Sequence, residues 1–145
     1  MLLHFYKMNG AGNDFVVVDN RDGSLTGVLD RDTIAALCDR HRGVGADGLL
    51  AVETALEGAD FRFRYYNADG GEAEMCGNGA RCFGRFAAHL ADEPMPQVTF
   101  DRGTCAWTPA WWRRAPTCQC AFSIPACPTR WFGCQVRVSW RSGMW

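Results

Sequence analysis

Residues 67–82 hold the side chains best suited to chemistry. The segment reads Asn-Ala-Asp-Gly-Gly-Glu-Ala-Glu-Met-Cys-Gly-Asn-Gly-Ala-Arg-Cys, and Cys76 lies where a loop is predicted to become a helix. Helix N-termini carry partial positive charge and unpaired N–H groups, so a thiol placed there is favoured as the reactive thiolate. Gly77 and Gly79 lack Cβ atoms and leave the backbone N–H groups open to an anion. The segment therefore predicts a thiol base beside a backbone site for a carboxylate.

The same pattern has a simpler interpretation. Cys76 could be no more than a small residue in a turn, because a reactive cysteine needs a particular environment. Cys82 falls inside the predicted helix and Cys38 on a buried helical stripe. We interpret both of these as small hydrophobic core residues.

Two further patterns predict no site. Residues 43–48 spell G-x-G-x-x-G, but a dinucleotide fingerprint follows a strand and opens a helix, whereas this one follows a helix and precedes a strand. The glycines are better explained by tight turns and close backbone approach. The histidines, His4, His41 and His89, are not paired at the spacing of metal ligands, so the sequence predicts no metal site.

Hydrophobic patterning indicates the elements that position residues 67–82. Strands are predicted over 3–8, 15–19, 49–53 and 61–66, with Phe61, Phe63 and Tyr65 on one face of the last. A first helix is predicted to begin at Asp30 or Asp32, to end at Gly43, and to bury Ile34, Leu37, Cys38 and His41. A second is predicted over 76–90, with Phe83, Phe86, Ala87 and Leu90 as its buried stripe. Strands mixed with two helices predict an α+β domain.

The composition excludes several classes of protein. The 145 residues are 48% hydrophobic and 21% charged, which is typical of one globular domain. A net charge of −1 gives no broad attraction to nucleic acid or to an anionic membrane. No long uncharged apolar run predicts a membrane span, and the N-terminus is too mixed for a signal peptide. We expect a cytoplasmic protein.

The composition changes abruptly near residue 100. Residues 1–100 have a formal net charge of −6, whereas residues 101–145 have one of +5. All six Trp and five of the eight Cys lie in the second segment, which contains no Leu, Lys or Glu. A natural domain rarely lacks these three common residues together. We therefore treat residues 1–100 as a domain and residues 101–145 as a separate Trp/Cys/Arg-rich tail.

Three explanations compete for this tail. It could be a basic aromatic module for an acidic partner, or a zinc knuckle built from Cys118, Cys120, Cys127 and Cys134. The cysteine spacing does not match the C-x₂-C pairs of zinc modules. Residues 107–112 and 121–127 show neither a helical nor a strand period. We favour a frameshifted or disordered tail.

Three segments of the first hundred residues resemble diaminopimelate epimerases. Residues 7–15, Lys-Met-Asn-Gly-Ala-Gly-Asn-Asp-Phe, look like the N-terminal signature of that family. Residues 67–70 and 76–82 look like its active-site cysteine motif, and residues 42–48 fit between the two. The segments occur in family order, and the resemblance fades after about Phe100.

The resemblance implies one half of a two-domain fold, in which each half packs a mixed sheet around a central helix. It also implies an isomerase that interconverts LL- and meso-diaminopimelate, on the lysine and peptidoglycan pathway, without a cofactor. Cys76 would be one of two catalytic cysteines, with Asn13, Asn67, Gly77 and Asn78 binding the substrate. The last two would hold the α-carboxylate through backbone N–H groups. An intact enzyme of this kind could form a homodimer.

The second half departs from the family pattern. The family's other cysteine lies in a Cys-Gly-[Ser/Thr]-Gly setting, which none of the tail cysteines shares. We therefore expect a truncated epimerase that is inactive, or nearly so, as a lone chain. Two alternatives stay open: a proline racemase-like isomerase of the same fold, or a catalytically dead binding module whose tail contacts an acidic partner.

Overall fold

A computed structural model describes residues 2–56, 58–91, 95, 97–101 and 103–106, together with 119–120, 129–132 and 138–139. The helices are α1 (Arg31–Cys38) and α2 (Gly77–Leu90). The strands are β1 (Leu2–Leu3), β2 (Tyr6–Gly10), β3 (Asn13–Asp19), β4 (Gly48–Thr54), β5 (Phe61–Asn67), β6 (Glu72–Ala73), β7 (Gln97–Phe100), β8 (Gly103–Ala106), β9 (Gln119–Cys120), β10 (Thr129–Phe132) and β11 (Val138–Ser139).

The main sheet is mixed. Its strands pair in the order β10-β2-β3-β4-β5-β7-β8-β9, and β6 adds to β5. The β3–β4 and β5–β7 pairs are parallel, whereas the other pairs of this sheet are antiparallel. The β4–β5 pair sets Gly48 opposite Asn67 and Leu50 opposite Tyr65. The α+β class predicted from the sequence is confirmed.

The sheet buries side chains on both faces. On β3, Phe15 and Val17 join one core cluster, while Val16 and Val18 join the other, because successive strand residues point to opposite faces. The first cluster includes Phe83 of α2, and α2 contacts β2, β3, β4, β5, β7, β8 and β9. Helix α2 is thus the central helix of the mixed sheet. The second cluster contains the buried residues of α1.

The predicted end of the first helix is wrong. Asp30 is its N-cap, as one of the two predicted starts has it, and accepts a hydrogen bond from the Thr33 N–H at 2.8 Å. The helix stops at Cys38, because Asp39 turns to an extended conformation and its carboxylate accepts from the N–H of His41 at 2.7 Å. Short acidic side chains compete with the helix for backbone donors in this way. His41 is consequently exposed, and the prediction that it is buried on the helix is also wrong.

Three further expectations concern the buried cysteines, the tail and membrane spans. Cys38 and Cys82 are buried, as predicted. Residues 107–112 and 121–127, on which the interpretation of the tail rests, lie outside the described residues, and that interpretation stays a prediction. Within the described ranges, neither helix has the length and hydrophobicity needed to cross a bilayer.

Candidate active site

The Cys76 thiol lies at the start of the central helix. Cys76 is the N-cap of α2, with an extended backbone (φ −140°, ψ 114°). Its carbonyl accepts the first helical hydrogen bond, from the Ala80 N–H at 2.7 Å, and its Sγ accepts from the Gly79 N–H at 3.4 Å. Cys76 is partly exposed. The structure therefore places this thiol at the loop-to-helix boundary that the sequence indicates.

Asn13 approaches this thiol from another part of the chain. Its Nδ2 atom lies 3.8 Å from the Cys76 Sγ and donates toward it. Asn13 is the first residue of β3 and pairs with Gly10 across a two-residue turn of Ala11 (φ 60°) and Gly12 (φ 89°). Positive φ at both turn positions is typical of the tight hairpin turns that match strand twist. Gly10, Asn13 and Asp14, which lie between the predicted strands over 3–8 and 15–19, are thus strand residues, and the hairpin places Asn13 next to Cys76.

Gly10 brings the hairpin against α2. A Cβ atom at Gly10 would lie 2.9 Å from the Asn78 carbonyl oxygen and 3.0 Å from the Cys82 Sγ, closer than a side chain tolerates. The absence of a side chain therefore lets β2 contact the first turn of the helix. This contact holds Asn13 and the start of α2 in one site.

An ion-pair network surrounds Asp14, the residue that follows Asn13. The Asp14 carboxylate pairs with Lys7 at 2.8 Å and with Arg40 at 2.8 Å, and Arg40 also pairs with Asp47 at 2.7 Å. Backbone bonds join the same segments, since the Asp47 N–H donates to the Asp14 carbonyl at 2.9 Å. Partial burial acts to raise the pKa of Asp14, but the hydrogen bonds from Arg40 and Lys7 outweigh it and hold that pKa well below its usual range. Sequence reasoning missed this network.

Asn67 lies at the end of β5, in a tight turn. Its carbonyl accepts from the Gly70 N–H at 2.9 Å, and its own N–H donates to Gly71 at 2.9 Å. Gly70 has φ 77°, and a Cβ there would collide with the backbone of Arg31 at the start of α1. Arg31 in turn donates to the Asp69 carbonyl at 3.1 Å. The turn that carries Asn67 is therefore held against α1.

Tyr65 links Asn67 to the region of the thiol. Its hydroxyl donates to the Asn67 Oδ1 at 2.8 Å. Burial, and to a smaller degree the neighbouring Cys76, raise the pKa of Tyr65 to about 12. The alternation of β5 correctly predicts that this ring is buried. It gives no sign of the hydroxyl's partner, so sequence reasoning missed this residue as well.

Gly77 and Asn78 form the first turn of α2 and are partly exposed. Within the described part of the chain, no hydrogen bond occupies their backbone N–H groups. Groups of this kind, at the positive end of a helix dipole, are suited to an anion. The Asn78 side chain accepts from Arg81, which is only 4% exposed and whose Nε has no hydrogen-bond partner among the described residues. A buried cation thus lies one turn below the predicted carboxylate site.

The structure thus brings four of the five predicted site residues into one cluster: Asn13, Cys76, Gly77 and Asn78. The fifth, Asn67, is connected to it through Tyr65. The cluster combines a thiol with backbone and side-chain N–H donors. Such a set can exchange a proton with a carbon acid whose carboxylate is held at the helix N-terminus.

The fold is similar to that of two solved structures. It is similar to a crystal structure of methylitaconate-delta-isomerase, with a TM-score of 0.60 and 15% identity, over 88% of this chain and 40% of that one. It is also similar to a phenazine biosynthesis protein PhzF family structure from Enterococcus faecalis, with a TM-score of 0.55 and 12% identity, over 75% of this chain and 42% of that one. At these identities the likeness shows the fold alone.

Several relatives have much higher sequence identity to this chain than these two structures have. A diaminopimelate epimerase of Nitrosomonas eutropha is 55% identical over 107 residues, which are 71% of this chain and 38% of the relative. A chloroplastic diaminopimelate epimerase of Oryza sativa subsp. japonica is 54% identical over 88 residues, which are 61% of this chain and 25% of the relative. The chain therefore spans well under half the length of these relatives. The sequence model of the diaminopimelate epimerase family matches residues 5–107. This chain belongs to the diaminopimelate epimerase family.

Proposed function

We propose that this chain carries one half of the active site of a diaminopimelate epimerase, with Cys76 as the thiol that exchanges the substrate's α-proton. The observation that carries the proposal is the position of the Cys76 Sγ at the N-terminus of α2, within reach of the Gly79 N–H and the Asn13 amide. Membership of the diaminopimelate epimerase family supports diaminopimelate as the proposed substrate, and lysine and peptidoglycan biosynthesis as the proposed setting.

The chemistry requires stabilisation of a carbanion. The α-proton of an amino acid is very weakly acidic, and the proposed reaction uses no pyridoxal ring to accept the electrons. As the Cys76 thiolate forms an S–H bond, the α-C–H bond breaks and its electron pair spreads onto the carboxylate oxygens. Preorganised donors aimed at those oxygens lower the barrier. The free N–H groups of Gly77 and Asn78 are the proposed donors, with Asn13 and Asn67 binding the substrate.

Inversion of the α-carbon needs a second acid on the opposite face. Residues 76–79 form a Cys-Gly-Asn-Gly segment, and no Cys-Gly-[Ser/Thr]-Gly segment occurs in the 145 residues. We therefore propose that Cys76 serves one face of the substrate only. The working compartment is proposed to be the cytoplasm, although the rice relative is described as chloroplastic.

Substrate protection of the thiol tests this function. The full chain is treated with iodoacetamide, and alkylation of each cysteine is followed by peptide mass spectrometry. Cys76 is expected to react much faster than the buried Cys38 and Cys82, and diaminopimelate is expected to slow its alkylation. Lysine, which lacks the second carboxylate, is the matched ligand control and should protect less.

Two variants complete this test. Cys76→Ser should remove the fast, protectable reaction, whereas Cys82→Ser should leave it intact because Cys82 lies in the core. The proposal is wrong if Cys76 reacts no faster than Cys38, or if millimolar diaminopimelate gives no protection.

A further inference from the structure

The Tyr65 hydroxyl and the Asn67 side chain form a pair at the edge of the site. The hydroxyl donates to Oδ1 at 2.8 Å. Tyr65 is 8% exposed, while Asn67 is exposed. The pair therefore joins a group fixed in the core to a group that faces solvent.

Neighbouring residues hold the Tyr65 ring in place. Phe15 packs edge-on against it, with ring centroids 6.1 Å apart and an interplanar angle of 80°. Across the β4–β5 pair, a Cβ at Gly48 would lie 2.7 Å from the Tyr65 Cε2, so the ring occupies the space that Gly48 leaves. The hydroxyl is thus fixed on a rigid sheet, as a positioning group requires.

The donor and acceptor ends of the Asn67 amide are not equivalent. An asparagine side chain has one acceptor oxygen and an NH₂ group with two donors. Because Oδ1 accepts from Tyr65, Nδ2 is the end of the amide that faces away from the hydroxyl. The Nδ2 atom has no acceptor among the residues that the structure describes. It is left as the free end of the pair.

We propose that the Tyr65 hydroxyl positions the amide of Asn67 so that Nδ2 is presented as a fixed donor, which selects a hydrogen-bond acceptor, such as a carboxylate oxygen, on the ligand. This inference rests on the proposed function, because it takes Asn67 as a substrate-binding residue. Tyr65 acts through Asn67 and is a positioning residue.

The protonation state of Tyr65 is compatible with this role near neutral pH. Burial raises the pKa of Tyr65 to about 12, so its hydroxyl keeps its proton and remains a donor. The hydroxyl therefore remains a donor to Asn67 throughout the neutral pH range.

The test compares Tyr65→Phe with Tyr66→Phe in the full chain. Each variant removes one hydroxyl and keeps the ring, but Tyr66 faces the opposite core cluster, where its ring packs beneath Arg64. The quantity measured is the diaminopimelate concentration that halves the rate of Cys76 alkylation. Tyr65→Phe should raise it about tenfold, the usual effect of losing one hydrogen bond that orients a polar group, and Tyr66→Phe less than about twofold.

A second measurement needs no ligand. The side-chain NH₂ signals of Asn67 in a ¹⁵N-correlated NMR spectrum should shift in Tyr65→Phe and stay in place in Tyr66→Phe. Thermal unfolding of both variants checks that the fold is retained. The matched pair therefore separates positioning of Asn67 from a general loss of structure.

The outcomes separate this inference from the proposed function. If diaminopimelate protects Cys76 equally well in the parent chain and in Tyr65→Phe, the role of Tyr65 is wrong and the proposed function stands. An absence of protection in the parent chain overturns both. Asn67 signals that do not move in Tyr65→Phe likewise contradict the positioning role.

Discussion

The Gly79 N–H donates to the Cys76 Sγ at 3.4 Å, so the thiol caps the N-terminus of α2. A side-chain acceptor at the N-cap ordinarily comes from Ser, Thr, Asp or Asn. Here a sulfur takes that position, and a group that could perform proton transfer is also the helix cap. The cap fixes the thiol beside the free N–H groups of Gly77 and Asn78, which is the relationship that catalysis would need.

Gly79→Ala is expected to disturb this relationship. The added Cβ would lie 3.1 Å from the Leu50 Cδ2 and 3.3 Å from the Cys76 Cβ, so the thiol must move or the core must give way. We expect a net loss of up to about 1 kcal/mol in the free energy of unfolding, because the higher helix propensity of alanine offsets part of the cost of these tight contacts, and slower Cys76 alkylation. Urea unfolding and peptide mass spectrometry measure the two. Gly27→Ala is the control, since a Cβ there meets nothing within 4 Å; equal effects of the two changes would contradict the prediction.

Asp14→Asn is expected to change how stability depends on pH. Because the folded-state pKa of Asp14 is depressed, its contribution is complete above the unfolded value of 3.8 and is lost as pH falls from there toward the folded value. The parent chain should therefore lose stability steeply below about pH 4, and Asp14→Asn should be less stable at neutral pH with a flatter acid limb. Urea unfolding between about pH 3 and pH 7 measures this dependence. Asp32→Asn, on the exposed side of α1, serves as the control, and its free energy of unfolding should still fall steeply below about pH 4.

Ala11→Gly is expected to stabilise the chain. Ala11 has φ 60°, in the left-handed region that an L residue with a Cβ occupies at a cost of about 1–2 kcal/mol. Glycine removes that cost but increases the entropy of the unfolded chain, so a net gain of about 0.5–1 kcal/mol remains. Thermal or urea unfolding measures it. Ala59 lies in a loop and does not have a positive φ, so Ala59→Gly should destabilise the chain instead. A loss of stability in both variants would argue against strain at Ala11.

The chain by itself is expected to interconvert LL- and meso-diaminopimelate at or near the uncatalysed rate. Inversion needs an acid and a base on opposite faces of the α-carbon, and Cys76 provides for one face. The measurement is the ratio of LL- to meso-diaminopimelate over time, resolved by chiral chromatography, with Cys76→Ser as the background, because exchange of the α-proton at one face can occur without inversion. Conversion that is fast and depends on Cys76 would show that the chain supplies both faces, contrary to this prediction.

The sequence alone determined those features whose signals are local. The position of Cys76 at the N-cap of α2 follows from a glycine-rich turn that precedes an amphipathic stretch, and the buried face of β5 with Phe61, Phe63 and Tyr65 follows from alternation. The Asp30 cap of α1 is a short-range signal of the same kind. Each of these depends on residues a few positions apart, because helix and strand periodicity relate only near neighbours.

Tertiary structure decided which of these pieces meet. Asn13 and Cys76 are 63 positions apart in the chain, and the Asp14–Asp47 contact spans 33 positions. Their proximity depends on the register of β3 and β4 and on the close approach that Gly10 allows, and neither leaves a periodic trace in the sequence. Even the hydrogen bond between Tyr65 and Asn67, two positions apart on β5, is not indicated by the alternation of that strand, which predicts only that the Tyr65 ring is buried. A hydrogen bond between side chains depends on angles and distances to within a few tenths of an ångström, and only the packed molecule sets them.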